Sequence, residues 1–307
     1  MLELPLTVLT HRVFPETLAM LSGRTKVLMN DTLGTLPPDE IVTLCREADA
    51  MMAFMPDTVD EAFLASCPKL KIVACALKGY DNFDVEACTR RNIWVTVVDD
   101  LLTVPTAELA VGLTISLARH VRAGDADIRA GKFTAWRPTL YGTGLAGRTV
   151  GIVGMGKVGR AIAKRLSGFD AELMYTDHQQ LDPVTAASLH VMHASFEELM
   201  SRADFVVLAA PLTADTQEIV DARGIGMMKP GAYLVNPARG SLVDESAVAE
   251  FLAEGRLGGY AADVFAFEDW ARADRPRAIP ENLLAQTEKT LFTPHLGSAV
   301  VEVRKAI

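Results

Sequence analysis

Three side chains suited to holding an anion and moving a proton, Arg239, Glu268 and His295, each follow a separate short apolar run in the second half of the chain. A guanidinium grips oxyanions through a rigid fork of N–H donors. An imidazole gives or takes a proton near neutral pH, and a carboxylate can orient that ring and stabilise its charged form. Singly, each has an ordinary explanation: a solvated arginine, a structural histidine, a helix-capping acid. Placed at the ends of different strands of one α/β sheet, they form a site-like constellation, because open α/β sheets bind ligands beyond the carboxyl ends of their strands. Lys78-Gly79-Tyr80-Asp81-Asn82 follows another such run, and Ser298 closes the His295 segment.

The second cluster is Gly154-Met155-Gly156-Lys157-Val158-Gly159, set directly after the apolar run 149–153 and before a helix-like stretch at 160–167. Strand, glycine turn and helix in that order suit a pyrophosphate. The first glycine makes the turn, the second admits the phosphates and the third lets helix pack on strand. The anion then rests on free N–H groups at the helix start. A glycine pattern alone is weak, since glycines punctuate many strand–helix turns. Here a further strand-like run, 171–175, ends at Asp177, about 20 residues beyond the glycines, where an acid accepts from ribose hydroxyls. Asp177 repels a 2′-phosphate and favours NAD over NADP, while His178 beside it weakens that preference when protonated.

The elements that must carry these residues are legible in outline. Apolar runs at 5–10, 26–29, 50–54, 70–76 and 93–97 alternate with helix-like stretches such as 84–91. Further runs at 203–209, 232–236, 258–263 and 290–292 continue the sheet that starts at 149. Alternation of this kind predicts parallel sheets covered on both faces. Helical spacing of apolar residues over 106–129 predicts one long helix between two domains, ending near Gly131. His190 and His193 read as helically spaced surface histidines without an acidic or cysteine companion, so no metal site is expected there.

At 307 residues, half of them apolar, the chain suits two globular domains. A net charge of −9 and a pI near 5.2 argue against nucleic acid or an anionic membrane as the main partner. They leave room for a small anionic substrate in a locally positive pocket. The start of the chain has neither the basic residues nor the long apolar run of a signal peptide. Cys45, Cys67, Cys75 and Cys88 lack metal-type pairing and read as buried thiols, so a cytoplasmic location is expected.

The order of GMGKVG, Asp177, NPARGSLVDE, GYAADVF and TPHLGS resembles the D-isomer-specific 2-hydroxyacid dehydrogenase superfamily over nearly the whole chain. The resemblance implies an NAD-binding Rossmann domain at 102–294 and a flavodoxin-like substrate-binding domain at 1–101, completed by 295–307, with the active site in the cleft between them. It implies catalytic roles for Arg239, Glu268 and His295 and a hold on the nicotinamide carboxamide by Asp263. It adds Met155, Lys157, Val158, Thr106, Pro211 and Ala238 to the cofactor contacts, alongside the three glycines, Asp177 and His178. A homodimer is expected, and because the family ordinarily continues past the last catalytic motif with a helix returning to the first domain and a further tail, the helix starting near Ser298 is expected to be unfinished at Ile307.

Within that superfamily, MMAFMPD, CALKGYDNFDV, DLLTVPTAELAVGL, YGTGL and the EDWARADRP stretch resemble the phosphonate (phosphite) dehydrogenases. Lys78 stands where the superfamily loop ordinarily carries a small or aliphatic residue, and its charge suits a doubly charged tetrahedral oxyanion. The implied reaction is NAD-dependent oxidation of phosphite to phosphate, with Lys78 and Arg239 clamping the oxyanion. Either His295 activates the attacking water, or Arg239 lies nearer the water and His295 positions substrate. Gly79, Met55, Trp136, Tyr141 and Ser298 would complete the substrate site. Met55 reads equally as a core methionine, Trp136 and Tyr141 as a hinge plug, and Thr106 as the cap of the long helix. The alternatives are a 2-hydroxyacid dehydrogenase reducing glyoxylate or hydroxypyruvate, and an NAD-sensing corepressor-like binding protein.

Overall fold

The structure is a computed structural model that describes residues 3–307; Met1 and Leu2 of the N-terminal stretch lie outside the described residues. Two compact units divide the chain. The first comprises Met1–Leu102, Trp270–Arg275 and Val300–Ile307, and the second Thr103–Asp269 and Pro276–Ala299.

The first unit holds five parallel strands, β1 (Leu6–Leu9), β2 (Lys26–Met29), β3 (Ala50–Ala53), β4 (Ile72–Cys75) and β5 (Trp94–Thr96), in the order β2-β1-β3-β4-β5. That is the flavodoxin-like arrangement, with its switch point between β1 and β3. Its core gathers Val8, Met51, Phe63, Leu64 and Val73 with all four cysteines, which are buried free thiols. Burial pushes the Cys45 and Cys75 thiols up to about 12, so neither is a nucleophile at neutral pH.

The second unit holds seven parallel strands: β6 (Thr149–Val153), β7 (Glu172–Thr176), β8 (Val191–His193), β9 (Phe205–Leu208), β10 (Ala232–Asn236), β11 (Leu257–Ala262) and β12 (Thr290–Phe292). Their order, β12-β11-β10-β9-β6-β7-β8, is a doubly wound Rossmann sheet whose switch point falls between β6 and β9. Every residue of β6, β9 and β10 is buried, as expected of strands covered on both faces. Alternate residues serve opposite cores: Phe205 and Val207 join Ile152, Leu173 and Tyr175, while Val206 and Leu208 join Met174, Leu199 and Leu234.

Several expectations are corrected. The long helix at 106–129 is two, Thr103–Ala118 and Val121–Arg129, separated by His120 in the left-handed region at φ 52°. The break has a tertiary cause, because the Ala118 carbonyl accepts from the Thr143 N–H at 2.9 Å instead of continuing the helix. The first of these helices begins at Thr103, so Thr106 lies in its first turn and is not its cap. β8 matches none of the apolar runs; it places His193 in a strand, edge-on to Tyr175 at 5.2 Å, while His190 ends the helix Pro183–Leu189 at φ 53°. The two histidines thus have no helical spacing. Residues 295–299 belong to the second unit, because the backbone of His295, Leu296 and Gly297 is hydrogen-bonded to Asp263.

Candidate active site

In the second unit the glycine turn, Asp177, Pro211, Arg239, Asp263 and His295 follow β6, β7, β9, β10, β11 and β12 respectively, at the carboxyl end of one parallel sheet. Parallel strands make this unavoidable. Each βα loop emerges on the same edge, so residues distant in sequence converge without any local signal.

The turn after β6 has the shape a dinucleotide needs. Gly154 adopts φ 95°, a conformation that side chains rarely tolerate, and a Cβ on Gly159 would collide with the Gly154 carbonyl. A Cβ on Gly156 would meet nothing within 4 Å, so the space above the start of the helix Lys157–Leu166 is open. Met155 is buried, Val158 half-buried and Lys157 exposed. Asp177 Oδ2 accepts the Met155 N–H at 2.6 Å, and Oδ1 accepts the Gln179 N–H at 3.0 Å and lies 3.0 Å from His178 Nδ1. Each oxygen keeps lone-pair capacity for a ribose hydroxyl. These residues fit NAD: an open anion seat on a helix start and, one strand away, an acid braced by backbone N–H groups.

Arg239 is half-buried in a loop shaped by Asn236, the last residue of β10. Asn236 Oδ1 accepts the Ala238 N–H at 3.1 Å, and its Nδ2 donates to the Arg239 carbonyl at 2.8 Å. The side-chain amide therefore imposes the turn that presents the guanidinium. Pro211, after β9, is exposed, and its carbonyl accepts from Thr216 Oγ1 at 2.7 Å.

His295 Nδ1 lies 3.0 Å from Glu268 Oε2, and Glu268 Oε1 accepts the Phe265 N–H at 2.7 Å. One oxygen anchors the acid and the other meets the ring, leaving the second ring nitrogen for chemistry. The His295 backbone sits in the left-handed region at φ 54°. Asp263 holds it there: its carbonyl accepts the His295 N–H at 2.8 Å, while its carboxylate accepts from Thr293 Oγ1 and Leu296 N at 2.6 Å and Gly297 N at 2.7 Å. Burial pushes the Asp263 carboxyl up, and these donors oppose the shift. Thr106 Oγ1 donates to the Gly297 carbonyl at 3.3 Å, adding a tether to the same loop. Asp263 and Thr106, expected at the nicotinamide, are thus also the braces of the histidine loop. Ser298, next in that loop, is half-buried.

In the first unit, Lys78 and Gly79 are half-buried in the loop after β4. Met55, after β3, packs against the core and also offers its carbonyl to Asn82 Nδ2 at 2.7 Å, which ties the two loops together. Asp57 closes the same loop by accepting the Phe54 N–H at 2.7 Å. Trp136 and Tyr141 are 77% and 73% exposed on the 130–144 loop of the second unit.

Sequence reading missed three polar residues near these loops, Asp269 and Glu245 buried and Arg304 half-buried. Asp269 accepts the Ser241 N–H at 2.7 Å, Glu245 accepts the Ala266 N–H at 2.7 Å, and Arg304 Nη1 donates to the Ala76 carbonyl at 3.0 Å where β4 ends. Glu245 carried the clearest signal, as an acid at the start of the apolar helix Glu245–Ala253 and within NPARGSLVDE.

Known proteins resemble this chain over nearly its whole length. The chain is 35% identical over 306 residues to a glyoxylate reductase of Pyrococcus furiosus, covering 98% of this chain and 88% of the relative. It is 34% identical over 303 residues to a D-3-phosphoglycerate dehydrogenase of Mycobacterium tuberculosis, spanning 99% of this chain and 54% of that relative. Among solved structures, a Thermus thermophilus protein superposes with a TM-score of 0.88 at 34% identity, over 98% of this chain and 92% of its own. A glyoxylate reductase from Paecilomyes thermophila superposes at 0.83 with 25% identity, over 100% and 92%. The family profile for the NAD binding domain of D-isomer specific 2-hydroxyacid dehydrogenases matches residues 111–297, which include the glycine turn, Arg239, Glu268 and His295. With that profile spanning more than half of the chain and a relative 35% identical over nearly all of it, the chain belongs to the D-isomer specific 2-hydroxyacid dehydrogenase family.

Proposed function

We propose that this NAD-dependent oxidoreductase oxidises phosphite to phosphate. The observation that carries the chemistry is the Glu268–His295 pair, with one imidazole nitrogen held at 3.0 Å by the carboxylate and the other left for substrate. Bound NAD supplies the hydride acceptor. Arg239 and Lys78 hold the oxyanion by charge-assisted hydrogen bonds. His295 takes a proton from the water that forms the new P–O bond as the P–H electron pair departs, and Glu268 stabilises the resulting imidazolium. The products are phosphate, the reduced cofactor and one proton. Lys78 argues for phosphite, because an added full charge favours a dianion over a carboxylate.

The names of the relatives favour a second reading, reduction of glyoxylate or a similar 2-oxo acid, over phosphite oxidation. The same pair serves it in reverse. Arg239 holds the carboxylate, and His295 donates a proton to the carbonyl oxygen. Substrate choice rests on a few pocket side chains, so the two readings share one scaffold.

The first unit is proposed as the substrate-binding domain. A homodimer is proposed from the second unit, whose helix Val121–Arg129 buries no residue and leaves Val121 and Ile128 exposed, as are Trp136 and Tyr141 on the following loop. Among the described residues no helix is long and apolar enough to cross a membrane, and a cytoplasmic location is proposed. Following NADH absorbance with NAD and phosphite, and separately with NADH and glyoxylate, decides between the substrates. Turnover with phosphite is expected; glyoxylate reduction without any phosphite oxidation would replace the first reading with the second.

A further inference from the structure

The turn that carries the acid facing His295 is held by a second acid that the reaction does not use. Glu245 opens the helix Glu245–Ala253 but is only 5% exposed. Its Oε1 accepts the Ala266 N–H at 2.7 Å, next to the Phe265 N–H that Glu268 Oε1 accepts at 2.7 Å. Two consecutive N–H groups at the head of the 3-10 turn Ala266–Glu268 are thus each taken by a glutamate, one within the turn and one brought from 21 residues away. Asp269, directly after the turn, accepts the Ser241 N–H at 2.7 Å and adds a second tie to the Arg239 segment. Together these bonds fix the turn carrying Glu268 against the loop carrying Arg239.

We propose that Glu245 is a positioning residue for the Glu268–His295 pair: by holding Ala266 it lets Glu268 spend one oxygen on Phe265 and aim the other at the imidazole. The proposal rests on the reading of that pair as the proton-transfer group. A buried carboxylate in this place would be costly, since Asp244, Glu268 and Asp269 all face it and Tyr260 of β11 lies beside it. Burial pushes the Glu245 carboxyl up to about 7, the Ala266 N–H opposes this, and the neighbouring acids push the same way as burial. Its Oε2 is buried with no hydrogen-bond partner among the described residues, which a protonated oxygen tolerates far better than a charged one.

The test compares Glu245→Gln, which keeps the acceptor for Ala266, with Glu245→Ala, which removes it. The readout is the pair of imidazole ¹⁵N shifts of His295 in the protein without substrate, assigned by their loss in His295→Ala. Wild type and Glu245→Gln are expected to hold the proton on the Nδ1 facing Glu268, and Glu245→Ala to show a mixture of tautomers. Turnover should fall about ten-fold or more in Glu245→Ala, with KM for NAD within about two-fold, and stay within about three-fold in Glu245→Gln. A single tautomer and undiminished kcat in Glu245→Ala would overturn the proposal. Should that variant not fold, Glu245→Asp, one methylene too short to reach Ala266, decides by the same two readouts. Full turnover in His295→Ala would instead remove the pair from the chemistry, an outcome separate from either result at Glu245.

Discussion

Glu268 and His295 meet at 3.0 Å although each is presented by a different loop of the Rossmann sheet. In the proposed mechanism the carboxylate fixes the ring's tautomer as well as stabilising its charge, so Glu268→Gln should lower kcat by roughly 10²-fold or more while NAD binding persists. His295→Ala should abolish turnover. Steady-state kinetics together with NADH fluorescence titration check both, and near-normal kcat in either variant would take that residue out of the mechanism.

Lys78 contributes one charge-assisted contact to the oxyanion in the proposed reaction. Lys78→Ala should raise KM for phosphite about 10- to 100-fold, the loss expected of one hydrogen bond to a charged group, with a smaller effect on kcat. An unchanged KM would show that the lysine does not touch substrate.

Gly159 packs so closely on the Gly154 carbonyl that no side chain fits. In Gly159→Ala the helix must move off the strand, and the anion seat is lost with it. The melting temperature should fall by several degrees, and the increase that NAD gives the wild type should disappear. Thermal melts with and without NAD measure both effects; an intact NAD-dependent increase would place the cofactor elsewhere.

Asp263 accepts three hydrogen bonds through its carboxylate, all from the histidine loop. Asp263→Ala leaves those donors without their partner and should cost about 2–4 kcal/mol of stability, read by urea denaturation. It should also depress kcat more than KM for NAD, because the loop that presents His295 is released. Equal stability of variant and wild type would mean that water replaces the carboxylate fully.

Stability near neutral pH carries the mark of Glu245. Its folded carboxyl is pushed up to about 7 from 4.5, so between these values the native state keeps a proton that the unfolded chain has lost. Stability therefore falls as pH rises through that window, and a glutamine at this position removes the dependence. Relative to wild type, Glu245→Gln should gain roughly 3 kcal/mol between pH 4.5 and pH 8, measured as the difference of the two denaturation curves. A pH-independent difference would mean that the acid titrates normally.

Where local pattern and burial coincide, the elements were legible in advance. β6 and β10 are continuous apolar runs between turn residues, and they occupy 149–153 and 232–236 as their composition indicates. β8 escaped because Val191-Met192-His193 is a three-residue edge strand with only Val191 buried, too short for any period to show. Over 106–129 the spacing of apolar residues runs on past Ala118, whereas the helix stops there and the Ala118 carbonyl accepts from Thr143. Asp263 was placed at the cofactor by its motif, but its bracing of Thr293, Leu296 and Gly297 depends on contacts some thirty positions along the chain.

The sequence by itself determined the two α/β sheets, the glycine turn with its acid one strand later, and the identity of Arg239, Glu268 and His295 as candidates, because hydrophobic period and motif spacing are local properties of the chain. Only the tertiary structure decided that Glu268 turns one oxygen to Phe265 and the other to His295, and that Glu245 and Asp263 hold the two loops in place. Buried acids choose their partners through the folded backbone, and no spacing along the chain encodes which N–H group will face which carboxylate.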